Sequence, residues 1–483
     1  MKALNRSTVG ITEQLPLKIV QFGGGNFLRA FVDWMIQILN EQTGFNGGIA
    51  LVKPTAGGDY AALRAQEGLY HLVLDGVSAG KHISDIKLIS CVQKIINPYT
   101  EWDAYLDLAK EAELRFIVSN TTESGIRFNS SDLFEDHPPK EFPAKLTQLL
   151  YQRFEHFRGD PTKGCFLLPC ELIVDNAEAL RVLILRYADL WNLGEDFKHW
   201  INTANAFCNT LVDRIVSGYP EARASEIQSE LGFEDQLLVA GEYYHSWVIQ
   251  GTEEIRQELG FHQTDLNVQF ADDLTPFREM KVRILNGAHT AVVPVGYLAG
   301  LRYVHEVMDH ELVCGFIETL LSTEVIPTLD YPDSTTKKFM ADVLDRFRNP
   351  VLEHQLMSIA LNSTSKFVSR LLPTLRTYYL RKNSLPKHLV YGLAALIVFY
   401  RGEFDNKPIE LKDNEQVLTF FSTSWARYES KELSGREFIH SVLANEDIWG
   451  EDLNSFEGLA ELILKYLELI QAKGIKDTLE NLD

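Results

Sequence analysis

The run LKIVQFGGGNFLRAFVDWMIQIL, residues 17–39, decides the fold. LKIVQF (17–22) is a short apolar stretch that meets Gly23-Gly24-Gly25. Beyond the glycines, Phe27, Ala30, Phe31, Trp34, Ile38 and Leu39 recur at helical spacing, so residues 26–39 read as a helix. Strand, glycine turn and helix form the opening unit of a dinucleotide-binding fold. Gly23 permits the tight turn, Gly25 lets the backbone approach a pyrophosphate, and the helix start faces it with unpaired N–H groups. Leu28 stands where the usual pattern has a third glycine. A G-x-G alone often makes only a turn; here the flanking strand and helix carry the reading.

Working outward, GIALVKPT (48–55) reads as the second parallel strand. An acid at its end would hold the adenosine ribose of NAD. This strand ends in Lys53, Pro54 and Thr55 instead, and the nearest acid is Asp59. Lys53 by itself favours the extra phosphate of NADP. Residues 70–77 and 82–96 alternate apolar and polar side chains, as an inserted hairpin or small sheet would. LRFIVS (114–119) is a buried strand followed by Asn120-Thr121-Thr122-Glu123, at the carboxyl edge where such sheets meet ligands. CFLLPCELIV (165–174) is a further strand ending at Asp175-Asn176; Asn176 either caps the helix at 177–193 or faces a ligand. The expected architecture is α/β: a Rossmann-like dinucleotide-binding domain with inserted strands over residues 1–268, then a mostly α-helical substrate and catalytic domain over 269–483.

The second half reads as helices at 302–310, 311–321, 334–348, 350–362, 386–400, 414–429 and 456–473. It opens with TPFREMKVRILNGAHTAVVPVG (275–296), where Thr275-Pro276 starts a helix that Pro294 and Gly296 should stop or kink. On α-helical spacing Asn286 lies about 140° round from Lys281, with His289 between them at about 80°. Met280, Val282, Ile284, Leu285 and Ala288 make the helix apolar over most of its circumference, which implies burial rather than a solvated polar stripe. A buried lysine needs a partner or a job. An amine, an amide and an imidazole on one face can move a proton, hold an oxyanion and orient a hydroxyl. Further on, Lys366 and Arg370 are i,i+4 neighbours, which is unfavourable unless an anion sits between them or both are solvated.

Forty-six basic against 67 acidic residues leave a formal net charge of -21, which repels nucleic acid and anionic membranes. An anionic substrate would need locally placed cations. The five cysteines are scattered without a C-x2-C pair, so neither a disulfide framework nor a zinc site is expected. No signal-peptide core and no run of about 20 apolar residues stand out, so the expected location is cytoplasmic.

K-x4-N-x2-H, as Lys281, Asn286 and His289, together with IVQFGGGNFLRAF (19–31), FCNTLVDRIV (207–216) and LDRFRNP (344–350), resembles the mannitol dehydrogenase family of polyol-specific long-chain dehydrogenases and reductases. The likeness covers nearly the whole chain. It implies NAD as cofactor, held by Ile19, Val20, Gln21, Phe22, Gly23, Gly24, Gly25, Asn26, Phe27, Leu28, Arg29 and Ala30. It also implies that Lys281 exchanges the proton, that Asn286 and Asn176 donate to the reacting oxygen, and that His289 binds the adjacent hydroxyl. Asp213 would face the substrate, unless it merely pairs with Arg214. The implied reaction is reduction of a six-carbon keto-uronate to a hexonate, with Lys366 or Arg370 on its carboxylate. Another keto-uronate or a neutral polyol of the same family is the alternative. A non-catalytic NAD-binding regulator is the rival from another class, and it has no use for a proton donor. A monomer or small homo-oligomer is expected.

Overall fold

Six parallel strands build the centre of the first unit: β1 (Leu17–Phe22), β2 (Gly48–Val52), β3 (Val92–Ile96), β4 (Phe116–Ser119), β5 (Phe166–Pro169) and β6 (Ala206–Phe207). Their order in the sheet is β3-β2-β1-β4-β5-β6, with Val20 level with Ala50 on one side and Ile117 on the other. The order reverses beside β1, so a crevice opens at the carboxyl ends of β1 and β4. Alternate residues of β1 feed two cores: Ile19 packs with Phe31, Leu51 and Val118, while Val20 and Phe22 pack with Val52, Ile117 and Phe142. Burial on both faces explains why β1 and β2 are near-continuous apolar runs.

The computed structural model describes residues 1–482 apart from 351–353 and 405. The chain divides into one unit of Met1–Gly76 with His82–Leu274 and a second of Val77–Lys81 with Thr275–Asp483. The division falls later than residue 268 because the strand Val268–Ala271 pairs in parallel with Ser246–Gln250. Within residues 26–39 the single expected helix is two, α1 (Asn26–Ala30) and α2 (Val32–Gln42), broken at Phe31 with φ -124° and ψ -78°. The expected hairpin is present as Tyr70–Ser78 and Lys81–Ile89, in a sheet with Val216–Gly218 and Val239–Glu242. Residues 92–96 leave it to become β3 of the main sheet, a change of sheet that alternation alone does not reveal. The strand expected at 165–174 ends at Pro169, and α3 (Asn176–Leu190) follows the turn.

In the second unit α4 (Thr275–Met280) runs into a π-helical turn, Lys281–Asn286, and then α5 (Gly287–Leu298). Of the stop or kink expected at Pro294, the stop is not seen, since the helix runs on to Leu298; α5 is buried along nearly all its length, and packing offsets the lost backbone bond. Of the later helices, α6 (Asp333–Phe347), α7 (Ser363–Arg370), α8 (Leu372–Lys382), α9 (Lys387–Phe399) and α10 (Leu459–Leu479) frame the core. Every residue of α9 from His388 to Phe399 is buried, and it packs between α5 and α10. Glu324 caps α9, accepting from the backbone N–H groups of His388 and Leu389 at 2.8 Å each. The helix expected at 350–362 is reduced to Leu356–Ile359, and its 351–353 portion lies outside the described residues.

Candidate active site

The glycine turn of the first unit is shaped by close packing on one side and open space on the other. Gly23 has φ +120°, and a Cβ there would lie 3.1 Å from the Asn120 carbonyl oxygen, so only glycine fits without strain. Its N–H donates to Val52 O at 3.0 Å, and the Gly24 N–H donates to the Tyr60 hydroxyl at 2.9 Å. A Cβ on Gly25 would meet nothing within 4 Å. The space before the unpaired N–H groups of α1 is therefore open, as a pyrophosphate cradle requires, and the turn fits a dinucleotide. Of the segment expected to bind it, Ile19, Val20, Phe22, Gly23, Leu28 and Ala30 are buried, while Gly25 and Asn26 form the open rim. Below the turn, the Gln21 amide donates to Gly23 O at 3.1 Å, and the Tyr70 hydroxyl donates to Asp33 at 2.8 Å. Burial raises the Asp33 carboxyl to about 6.

The carboxyl edge of the sheet is tied down by two side chains. Glu171, buried beyond β5, accepts from Ser119 Oγ at 3.0 Å and from the Thr121 N–H at 2.8 Å; burial raises its carboxyl above the usual range. Asn176 donates to the carbonyls of Pro169, Glu171 and Thr210 at 2.9, 3.1 and 3.2 Å, and accepts from Thr210 N–H at 3.0 Å. Its amide clamps strand ends, and a bond to substrate would have to displace one of these. Asp213 ends the strand Thr210–Asp213 and is half-buried. Arg214 beside it donates to Tyr243 O and Tyr244 O at 3.1 Å and to Ala30 O, and lies over the Trp34 ring at 4.1 Å. Lys53 is buried and folds back to donate to Ala56 O at 3.1 Å.

In the second unit, Lys281, Asn286 and His289 are half-buried rather than enclosed. The π-helical turn changes their relation. Hydrogen bonds that skip five residues widen the turn, and Gly287 N–H reaches back to Val282 O. Each residue then advances less than in an α-helix, which brings Asn286 nearer to the line of Lys281 than the α-helical 140°. Arg283 anchors the turn from another side, donating to Thr374 Oγ1 at 2.8 Å, Thr328 Oγ1 at 2.7 Å and Glu279 at 3.0 Å.

Neither the Asn286 amide nor the His289 imidazole makes a hydrogen bond within the protein among the described residues. Phe347 stacks on the His289 ring at 4.3 Å and His354 meets it edge-on at 5.2 Å. Burial, followed by the nearby His354, Arg346, Arg370 and Lys366, holds this imidazole well below its ordinary range, so it is neutral. Lys366 donates to Ile359 O at 2.8 Å; Arg370 donates to Thr290 Oγ1 at 3.1 Å and to Asn286 O at 3.4 Å. The structure thus brings Lys366 and Arg370 toward His289, a neighbourhood that their i,i+4 spacing did not indicate. Arg346 and His354 were not singled out in the sequence; Arg346 lies inside the LDRFRNP segment, which was its only signal.

An amide and an imidazole without a hydrogen bond among the described residues, in a helical unit that follows a sheet of Rossmann order, fit a dinucleotide-linked dehydrogenase. Residues 17–262 match the mannitol dehydrogenase Rossmann domain and residues 273–471 the mannitol dehydrogenase C-terminal domain. The chain therefore belongs to the mannitol dehydrogenase family. It is 47% identical over 462 residues to an altronate oxidoreductase of Yersinia pestis bv. Antiqua (strain Nepal516), covering 95% of this chain and 96% of that one. With the altronate oxidoreductase of Klebsiella pneumoniae (strain 342) it shares 44% identity over the full length of both. Among solved structures, a Pseudomonas fluorescens mannitol 2-dehydrogenase in ternary complex with NAD and D-mannitol matches with TM-score 0.65 at 22% identity, covering 100% of this chain and 99% of that one. A D-sorbitol dehydrogenase in substrate-free form matches with TM-score 0.77, also at 22% identity, covering 96% and 95%. Among the described residues no helix is long and apolar enough to cross a membrane.

Proposed function

We propose that this oxidoreductase interconverts D-tagaturonate and D-altronate with NAD, as a step of hexuronate catabolism in the cytoplasm. The observation that carries the reading is the Asn286 amide and His289 imidazole, without a hydrogen bond among the described residues and set among cations on a chain of net charge -21. A neutral polyol needs no such cluster; a sugar acid does. The names of the curated relatives support the same substrate. For NAD over NADP, the supports are the Pseudomonas complex and Lys53, whose ammonium is turned onto its own loop. Five free cysteines, four of them buried, suit a reducing compartment.

A bound nicotinamide would supply or accept the hydride. Lys281 gives its proton to the oxygen as the ketone becomes an alkoxide, and takes it back in the oxidative direction. The free Asn286 amide donates to that oxygen, a contact worth about 3–4 kcal/mol when well placed. Neutral His289, its ring plane fixed by Phe347, both donates and accepts, and so orients a neighbouring hydroxyl. Lys366 keeps two N–H donors beyond its bond to Ile359 O and meets the carboxylate, with Arg346 and Arg370 adding to the field. Asn176 and Asp213 line the ligand's edge of the sheet as supports. Steady-state oxidation of NADH with tagaturonate, fructuronate and fructose side by side tests the reading: tagaturonate should be preferred, and a preference for fructose would overturn it.

A further inference from the structure

We propose that Arg370 is a positioning residue that holds the π-helical turn at Lys281–Asn286, and through it the aim of the Asn286 amide. The proposal rests on the reading of Lys281, Asn286 and His289 as the reacting face. Three observations converge on it. The Arg370 guanidinium donates to both Asn286 O and Thr290 Oγ1, and the Thr290 hydroxyl donates to the same Asn286 carbonyl at 2.9 Å. A single carbonyl at the junction of π and α segments is thus gripped twice. Gly287, the next residue, is closely packed: a Cβ there would lie 3.2 Å from Leu371 Cδ2, close enough that the leucine would have to shift, and in contact with Arg370 O at 3.7 Å. The junction of α7 and α8 therefore presses on the turn at its point of change. Arg283 pins the turn elsewhere, to Thr374 at the start of α8.

A five-residue ladder is less favourable than the α-helical one and persists only where the surroundings hold it. A threonine bonded to the carbonyl four residues back already bends a helix. Arg370 adds a charge-assisted contact to that bend. Without it the turn can relax toward α-helical spacing, which rotates Asn286 away from Lys281. The amide would still bind substrate loosely and would no longer meet the developing alkoxide. The consequence is a loss of turnover with little change in affinity.

The test compares Arg370→Met, Thr290→Val, Asn286→Ala and the Arg370→Met/Asn286→Ala double variant, with saturating NADH and varied tagaturonate. Arg370→Met and Thr290→Val should each lower kcat about 10- to 100-fold with KM changed by less than about threefold, the scale expected for a misplaced group. The double variant should be no slower than Asn286→Ala alone, because Arg370 acts through Asn286. A rise in KM at unchanged kcat would overturn the proposal and make Arg370 a carboxylate ligand. Multiplying losses in the double variant would overturn it as well. If Arg370→Met does not fold, Thr290→Val with Asn286→Ala decides the same question. An active Lys281→Ala enzyme would instead sink the underlying reading of the site.

Discussion

Lys281, Asn286 and His289 could be singled out from their types and spacing, because a run so apolar leaves polar residues conspicuous. Their chemistry separates by partner: the Asn286 amide and His289 ring have no hydrogen bond among the described residues, whereas the similar-looking Asn176 is engaged by carbonyls of β5, of the turn beyond it and of the strand Thr210–Asp213. Such partners come from distant strand ends, so no local pattern could show them. Lys281→Ala should keep NADH affinity, measured by fluorescence titration, and lower turnover by about 10²- to 10⁴-fold; near-normal turnover across pH would remove the lysine from the chemistry. Lys366→Met should lower kcat/KM for tagaturonate about 10- to 150-fold, from a charge-assisted bond of about 1.5–3 kcal/mol, and leave fructose little changed. Equal losses on both would give Lys366 a structural role. His245 offers a pH test of the first unit. Burial, then Arg214, lower its imidazole to about 3, so below the unfolded value of about 6.5 the unfolded chain binds the extra proton. Its contribution is present above about 6.5 and lost as pH falls toward 3. Replacing it by Gln should shrink the stability difference between pH 7 and pH 5 by at most about 2 kcal/mol, less any solvent screening. Urea melts at the two pH values would show it; an unchanged difference would contradict the assignment.

At the scale of elements, β1, the glycine turn and the helix after it were legible because apolar run, glycines and helical spacing agree. The break at Phe31 and the switch of residues 92–96 into the main sheet were not, since both answer to packing beyond the local window. Least legible was the π-helical turn. KVRILN holds no residue that by its type demands a five-residue ladder; Thr374 and Thr328, which hold Arg283, together with the packing at Gly287 and Arg370 supply the demand from outside it. The helix that runs through Pro294 shows the same override of local preference by a buried face. The glycine turn gives a prediction that separates fold from function. Gly25 has open space where a Cβ would go, so Gly25→Ala should leave the melting temperature unchanged within about 0.5 kcal/mol of stability. NADH affinity should fall at least about tenfold, because the methyl group enters the space a pyrophosphate needs. Unaltered affinity would mean that the cofactor does not use this turn.

Across the whole molecule, two demands are set against each other. A net charge of -21 opposes the approach of a sugar acid at long range, so on the proposed reading recognition falls to a short contact with Lys366, within the field of Arg346 and Arg370 around His289. Composition alone made local cations necessary for an anionic substrate, while the i,i+4 pair in α7 left open whether it faces an anion or solvent. Arg346 and His354 join only when α6 and the chain leading to α7 fold back on α5, which no spacing in the sequence encodes. The cofactor choice likewise goes beyond the strand pattern: Lys53 read alone favours a 2′-phosphate, and in the structure its ammonium is turned onto Ala56 O. Both choices meet in one steady-state measurement, catalytic efficiency for tagaturonate, fructuronate and fructose with NADH and with NADPH. The expected result is highest kcat/KM for tagaturonate with NADH; highest efficiency for fructose, or for any of the three with NADPH, would contradict it.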